Sequence, residues 1–469
     1  MQTSHTMIPC RLLPLHAVLR LGLFQSSVGA MAYVFSGLLN RVMISELAMP
    51  GLLVGSLLAV EQIMALSRVL FGQVSDCFAI SGRHRIPYIW AGTMLFSLLS
   101  LLSVPLIFRL SEARVDADRG ATLLIVVALI SLFALYGLGI SMATTPFLAL
   151  IIDRTSEEER PQAVGILWCM LSIGLVLGAI SGNLSLRSLD GVMDPAVLEI
   201  TLFSYVWRVV AMVVLLTFIG TWGQEQAQLT RSCARDREGL VGFADSWKLL
   251  KSSNQVLIFA VFLLLFTLSL FLQDPVLESY GAEVFSMSIS ETARLTANWG
   301  IGVLIGLLGA GFLIVPRIGK LSTARLGCWL ILFSMLLLMV AGCFGESVLL
   351  LSSTFIFGLA SGVGTNGVLC LMLDFTLSQA AGTFIGLWGL TQALSRALGK
   401  FLGGLLLSLG RLIEPGLGLG NSVLPPFLLV LAIEGLIAFA ALLSLSCLSM
   451  RAFREDTDKT LGQLQALEL

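Results

Sequence analysis

Charge is scarce in this sequence. Only 12% of its 469 residues are Asp, Glu, Lys or Arg, where a water-facing domain uses about 25%. Hydrophobic residues make up 57%, and the mean hydropathy is +0.93. A chain so poor in charge cannot coat a soluble surface of its size, which excludes a soluble enzyme and a disordered protein. Lys and Arg (28) nearly balance Asp and Glu (29), for a net charge of −1, so no excess of one sign points to a nucleic acid. Histidine is also rare: His5, His16 and His84 all lie outside the long apolar runs, which leaves no imidazole inside them as a ligand. The eight cysteines lack CxxC spacing, so neither a zinc site nor a disulfide framework is indicated. GxSxG, P-loop, HExxH and nucleotide-binding glycine patterns are missing too, and the chain reads as a non-enzyme with no catalytic constellation and no metal site.

What the sequence has in abundance is long apolar runs. A helix needs about 20 apolar residues to cross roughly 30 Å of hydrocarbon. Twelve such runs lie near 20–40, 52–73, 87–108, 121–145, 163–185, 203–223, 255–278, 296–315, 326–345, 348–373, 384–408 and 425–448. The first resembles a signal peptide, with Arg11 and Arg20 ahead of it, but continues past Gly29-Ala30 to Leu39 and is read as a span. The expected architecture is an all-α integral membrane protein of 12 transmembrane helices. Its parts are a six-helix bundle over 1–223, a central loop over 224–254, a second six-helix bundle over 255–448 and a tail over 449–469. The loop carries the mixed charges Arg235-Asp236-Arg237-Glu238, and the tail reads as a short amphipathic segment. With the N-terminus in the cytoplasm, 17 Lys and Arg fall on that side and 7 on the other, so both termini are expected to be cytoplasmic.

The two halves repeat each other. Residues 131–182 set against 352–403 without gaps give 12 identities in 52 positions, including Asp153/Asp374 and Thr155/Thr376 at the cytoplasmic end of the fourth span of each half. Parallel repeats around a midplane site are a transporter plan. Glycines four apart, as in Gly174-Gly178-Gly182 and Gly399-Gly403, allow close helix approach, although each serves generic packing equally well.

Between the second and third spans, Gly72-Gln73-Val74-Ser75-Asp76 followed by Gly82-Arg83-His84-Arg85 resembles the signature of the major facilitator superfamily. Gly72 would let the turn pass close to a neighbouring helix, and Asp76 would cap a helix N-terminus. Arg83 and Arg85 would pair with Asp153 or with Glu157-Glu158-Glu159. A degenerate copy runs from Gly311 through Pro316-Arg317-Ile318-Gly319-Lys320 and lacks the acid. The resemblance implies a cytoplasmic gate latch that also involves Arg154, Arg160 and Asp374.

Three further stretches resemble the bacteriochlorophyll-delivery (PucC-like) family of light-harvesting assembly proteins. They are Leu23–Gly29 leading to Leu39–Leu47, then Arg85–Trp90, and Gln273–Phe285 continuing to Leu295–Trp299. Pro275 departs from that pattern and would kink the end of the seventh span. The resemblance implies an assembly factor for chlorophyll-binding antenna or photosystem complexes, which delivers or handles pigment in the thylakoid or plasma membrane of a photosynthetic bacterium. Its expected partners are the lipid bilayer, a chlorophyll-type pigment and antenna or photosystem polypeptides. No cofactor is expected to be firmly bound, only chlorophyll or a precursor in transit. A proton-coupled solute or drug transporter and a non-transporting scaffold stay open as alternatives.

Ionisable residues at membrane depth are functional candidates by default. Glu61 and Arg68 share the second span, Arg396 and Lys400 lie one turn apart in the eleventh, and Glu434 is mid-way along the twelfth. These residues suit either an anionic or carbonyl-bearing ligand, or ion pairs that fix packing. Arg208, toward the outer end of the sixth span, can snorkel outward. Asp274 and Glu278, at i and i+4, would share a face near the interface, where they either hold a shared proton or a divalent cation or are simply solvated. Gln62, Gln392 and Asn298 add polar contacts for a pigment, with Trp168, Trp299, Trp388 and Phe401 as apolar walls, although such aromatics more often simply face lipid or the core.

Overall fold

The computed structural model describes residues 15–155, 160–189, 194–225, 253–375, 381–414, 423–453 and 455–456. The Glu157-Glu158-Glu159 run, the central loop from 226 to 252 and most of the tail lie outside the described residues. Among the described residues the secondary structure is helical, apart from one isolated bridge between Ile80 and Arg83.

Helix α1 (Leu15–Ala32) runs on through two wide π-type segments, Tyr33–Leu39 and Val42–Glu46. Helix α2 (Gly51–Ile63) tightens into a 3₁₀ turn at Met64–Ser67 and resumes as α3 (Arg68–Cys77). The first half continues with α4 (Ile86–Val115), α5 (Arg119–Arg154), α6 (Arg160–Ser185) and α7 (Pro195–Thr221). The second half holds α8 (Asn254–Phe271), α9 (Leu277–Phe285), α10 (Ile289–Gly309), α11 (Lys320–Phe344), α12 (Ser347–Asp374), α13 (Ala381–Ile413) and α14 (Leu424–Ser446). Among the described residues, ten helical stretches are long and apolar enough to cross a membrane. Of the other two expected runs, the second has a shorter apolar helix, Gly51–Ser67, and the eleventh, α13, carries Arg396 and Lys400.

Helix ends follow local chemistry more than apolar content. Asp118 accepts from the backbone N–H of Gly120 and Ala121 and starts α5. Ser288 and Glu291 form a reciprocal capping box at α10, which satisfies two otherwise free N–H groups. The helix expected over 255–278 instead stops at Phe271. Pro275 has no N–H to donate, and its ring crowds the carbonyl four residues back. The chain turns through Gln273–Val276, whose N–H groups at Val276 and Leu277 both return to the Gln273 carbonyl at 2.8 and 2.9 Å. Asp274 and Glu278 therefore lie on opposite sides of a helix break, not on one helical face.

The helices approach closely where side chains are missing. A Cβ on Gly174 of α6 would sit 1.9 Å from the Ser26 carbonyl oxygen of α1. Across the two halves, a Cβ on Gly404 of α13 would sit 2.1 Å from the Gly51 carbonyl oxygen at the start of α2. Helices α2 with α13 and α6 with α10 form the seams between the halves. Overpacking such a seam costs about 1–3 kcal/mol. Gly174→Leu and Gly404→Val should each lower the thermal unfolding midpoint of the detergent-purified protein, whereas Gly165→Ala, with open space around it, should leave it unchanged.

Candidate functional site

The deepest polar cluster forms where the halves meet. Lys400 of α13 is 3% exposed. Its ammonium donates to Ser36 Oγ at 2.9 Å and lies 3.6 Å from Glu61 Oε2 and 3.4 Å from Asp274 Oδ2. Ser36 and Glu61 come from the first half and Asp274 and Lys400 from the second, so one cation ties the two. Both helices reach the cluster through irregular backbone: Ser36 lies in the first π-type segment, and Asp274 in the break between α8 and α9. π-Type turns recur at functional sites, and interrupted membrane helices expose backbone groups to a binding space. Gln62 Nε2 donates to the other Glu61 oxygen at 2.9 Å.

Two arginines flank this triad. Arg396, one turn before Lys400, stacks 5.0 Å above the Phe271 ring, and its Nε meets no acceptor. Arg68 lies past the 3₁₀ turn that follows Glu61 and is exposed. Glu278 is buried and accepts from Thr296 Oγ1, and a Cβ on Gly37 of the first half would sit 2.6 Å from its Oε1. Asp274 and Glu278 thus have different partners, Lys400 and Thr296, and do not form the paired-carboxylate site expected from their spacing. Glu434 is fully buried beside the Gln273 backbone, in the field of Asp274.

Other expected contacts lie elsewhere. Trp388 is fully buried and packs edge-on against Phe259 at 4.8 Å, so it belongs to the core rather than to a cavity wall. Asn298 donates to the Leu351 carbonyl and lines a surface groove with Val348, Ser352 and Phe355. Arg208 bonds its own helix at the Ser204 carbonyl. Among the described residues no group of three or more His, Cys, Asp and Glu is placed to hold a metal.

The gate motif lies at the opposite end of α2–α3 from Gly51. Arg85 is buried, with Nε 3.1 Å from Asp153 Oδ2 and Nη1 donating to Ser75 Oγ at 2.7 Å. Gly82 takes φ +75, a left-handed turn conformation that favours glycine, and Arg83 is exposed. Gly72 departs from expectation: a Cβ there would meet only Thr145, at 3.6 Å, so no close helix approach requires it. The side chains of Asp76 and Arg160 lie outside the described residues. In the second half Lys320 Nζ pairs with Asp374 Oδ1 at 2.6 Å, so both acids of the internal repeat hold a base from the same loop.

Sequence reasoning missed Glu225, which was grouped with the central loop. Its carboxylate accepts the backbone N–H groups of His84, Arg85 and Ile86 at the start of α4, where a helix terminus favours negative charge. Beside it, Arg154 donates to the Gln224 carbonyl at 2.9 Å. No sequence spacing signals a contact 140 residues apart.

Among the described residues, the polar contacts between the halves gather toward the end away from this motif. Asn40 donates to the Asp274 carbonyl at 3.3 Å, Arg41 to the Met287 carbonyl at 3.0 Å, and Asn183 to the Ser290 carbonyl. Ser408 Oγ accepts the Leu52 N–H at 2.8 Å.

This arrangement is a major facilitator fold. A bacterial homologue of the lysosomal transporter Spinster, in an inward-facing unoccupied conformation, superposes with a TM-score of 0.67 at 15% identity, covering 94% of this chain and 98% of that one. A bacterial homologue of the iron transporter ferroportin, inward-facing, gives 0.60 at 14% identity over 92% and 99%. Within that fold the sequence is more specific. The family model described as "PUCC protein" matches residues 38–453, and the chain belongs to that family. It is 30% identical to Protein PucC of Rhodobacter capsulatus, over 92% of this chain and 91% of the relative. An uncharacterized protein of the puhA-bchM intergenic region of the same organism is 31% identical over 84% and 80%. The Bacteriochlorophyll synthase 44.5 kDa chain, also from that organism, is 28% identical over 85% and 89%. The chain is a multi-pass membrane protein.

The two latches differ in burial, and so in energy. Asp153→Asn removes a buried acid from Arg85 and should cost up to about 3–5 kcal/mol. Asp374→Asn releases Lys320, 44% exposed, and should cost about 0–1 kcal/mol. Unfolding midpoints of the two variants should therefore separate clearly.

Proposed function

We propose that this protein is a non-enzymatic assembly factor that handles (bacterio)chlorophyll on its way to antenna or photosystem polypeptides. In this reading all twelve expected runs cross the bilayer, both termini are cytoplasmic, and pigment passes transiently through the bundle without being a resident cofactor. The observation that carries it is the Lys400 cluster, a polar site at mid-depth made jointly by both halves. Intramembrane charges mark ligand pathways, and a site shared by two repeats changes when they rock. Membership of the PUCC family supports the pigment part, and one relative has bacteriochlorophyll in its printed name.

The contacts between the halves indicate which way the site opens. They gather at the end away from the gate motif, so the bundle is closed there and cargo enters from the cytoplasmic side. Arg85–Asp153 and Glu225 hold the gate loop within the first half, and Lys320–Asp374 holds its copy within the second. Rocking would break the Arg41–Met287 and Asn40–Asp274 contacts while each half moves as a unit.

A second reading is favoured by one feature. Lys400 is shared between Glu61 and Asp274, so a proton arriving on either acid would redistribute the ion pairs, as a proton-coupled transporter requires.

Absorption from 350 to 800 nm, recorded on protein purified in mild detergent from its native membrane, tests the proposal. The expected result is a chlorophyll-type band in stoichiometric amount, weakened in Lys400→Gln. A colourless preparation that retains antenna or photosystem subunits would point to a scaffold. A colourless, solitary protein whose transport loses its gradient dependence in Glu61→Gln would favour the coupled transporter.

A further inference from the structure

The cluster holds two guanidinium groups that its acids do not bind directly. Arg68, Arg396 and Lys400 gather around two carboxylates, Glu61 and Asp274, and both carboxylates are drawn to the Lys400 ammonium. The other deep acids are engaged elsewhere: Glu434 lies against the Gln273 backbone and Asp274, and Glu278 accepts from Thr296. Arg68 has no ion pair or hydrogen bond to a described residue, and Arg396 keeps a buried Nε without an acceptor. Helix α13, which carries Arg396, packs against the Met64–Ser67 turn that directly precedes Arg68, and this brings the two guanidinium groups to the same region. Like charges repel, and a donor left unmet at depth carries a desolvation cost. A pair of guanidinium groups in that position is what a carboxylate recognises: each presents a planar fork that matches two oxygens. Arg68 is exposed at the edge of the cluster, and Arg396 is steadied by the Phe271 ring.

We infer that the site selects cargo bearing a free carboxylate, namely a tetrapyrrole in its acid, chlorophyllide-type form rather than its long-chain ester. The carboxylate lies between Arg68 and Arg396 and supplies the negative charge that Lys400 has drawn away. A neutral ester offers only acceptor oxygens and leaves the arginine pair uncompensated. This inference rests on the pigment-handling reading above and narrows it to one chemical class.

The test is a spectroscopic titration of the full-length protein in detergent with chlorophyllide a and with chlorophyll a, repeated with palmitate as a competitor. Chlorophyllide a should bind at least about tenfold tighter than chlorophyll a, the scale of one charge-assisted interaction. Arg68→Gln and Arg396→Gln should each remove most of that preference while changing chlorophyll a affinity by less than about twofold, and Arg396→Lys should restore part of it, because charge survives but the fork does not. Unfolding midpoints of the variants identify any loss that comes from misfolding, and Arg68, which is exposed, provides the variant least prone to it. Equal binding of both pigments, unaffected by the arginine variants, would overturn the inference and leave pigment handling intact. Binding of neither pigment would remove the pigment-handling reading and the inference with it. Competition by palmitate as strong as by chlorophyllide would show that the arginines read any lipid carboxylate, which also overturns it.

Discussion

The structure depends on one buried ammonium. Lys400 is almost wholly shielded from solvent, and a charge at that depth is tolerated only when paired and hydrogen-bonded. Its three partners come from three places in the chain. Ser36 reaches it from the widened segment that follows α1, Glu61 from the C-terminal end of α2, and Asp274 from the break that Pro275 imposes after α8. The irregular backbone on either side of the seam is therefore part of how the charge is satisfied. The bare contact between Gly404 and Gly51 on the same pair of helices sets how near α13 comes to α2, and so whether Lys400 can span the halves.

The internal repeat supplies a related device at the other end, used with different weight in each half. Asp153 and Asp374 occupy equivalent positions and each holds a base from the loop between the second and third helices of its own half. In the first half that pair is buried, joined by Ser75, and backed by Glu225 at the start of α4. In the second half the pair is exposed, and the loop has lost its acid. Burial, not residue identity, makes the first a firm structural element and the second a weak one.

Much of this was legible in the sequence. Charge scarcity and apolar runs identified a helical membrane protein, and the offset of 221 residues identified the paired acids, because both depend on composition and spacing alone. The resemblance at Gln273–Phe285 placed the chain in the right family. What the sequence concealed depends on tertiary geometry. Asp274 and Glu278 read as one helical face because helical spacing was assumed across a proline. Trp388 stayed open between pigment wall and ordinary core, because an aromatic at depth has no sequence mark distinguishing core from lining. Glu225 was invisible because its partners are distant backbone N–H groups, which no side-chain pattern reveals. That Lys400 would join Glu61 to Asp274 also required knowing which helices cross at mid-depth.

The central claim is that Lys400 is held by two acids from opposite halves and holds those halves together. Thermal unfolding in detergent of Lys400→Met, compared with the triple variant Glu61→Gln/Asp274→Asn/Lys400→Met, tests it most directly. The account predicts that the single change lowers the midpoint by several degrees, the effect of a few kcal/mol from stranded buried acids, and that the triple variant recovers most of the loss. A single variant as stable as the wild type, or a triple variant no better than the single, would contradict it.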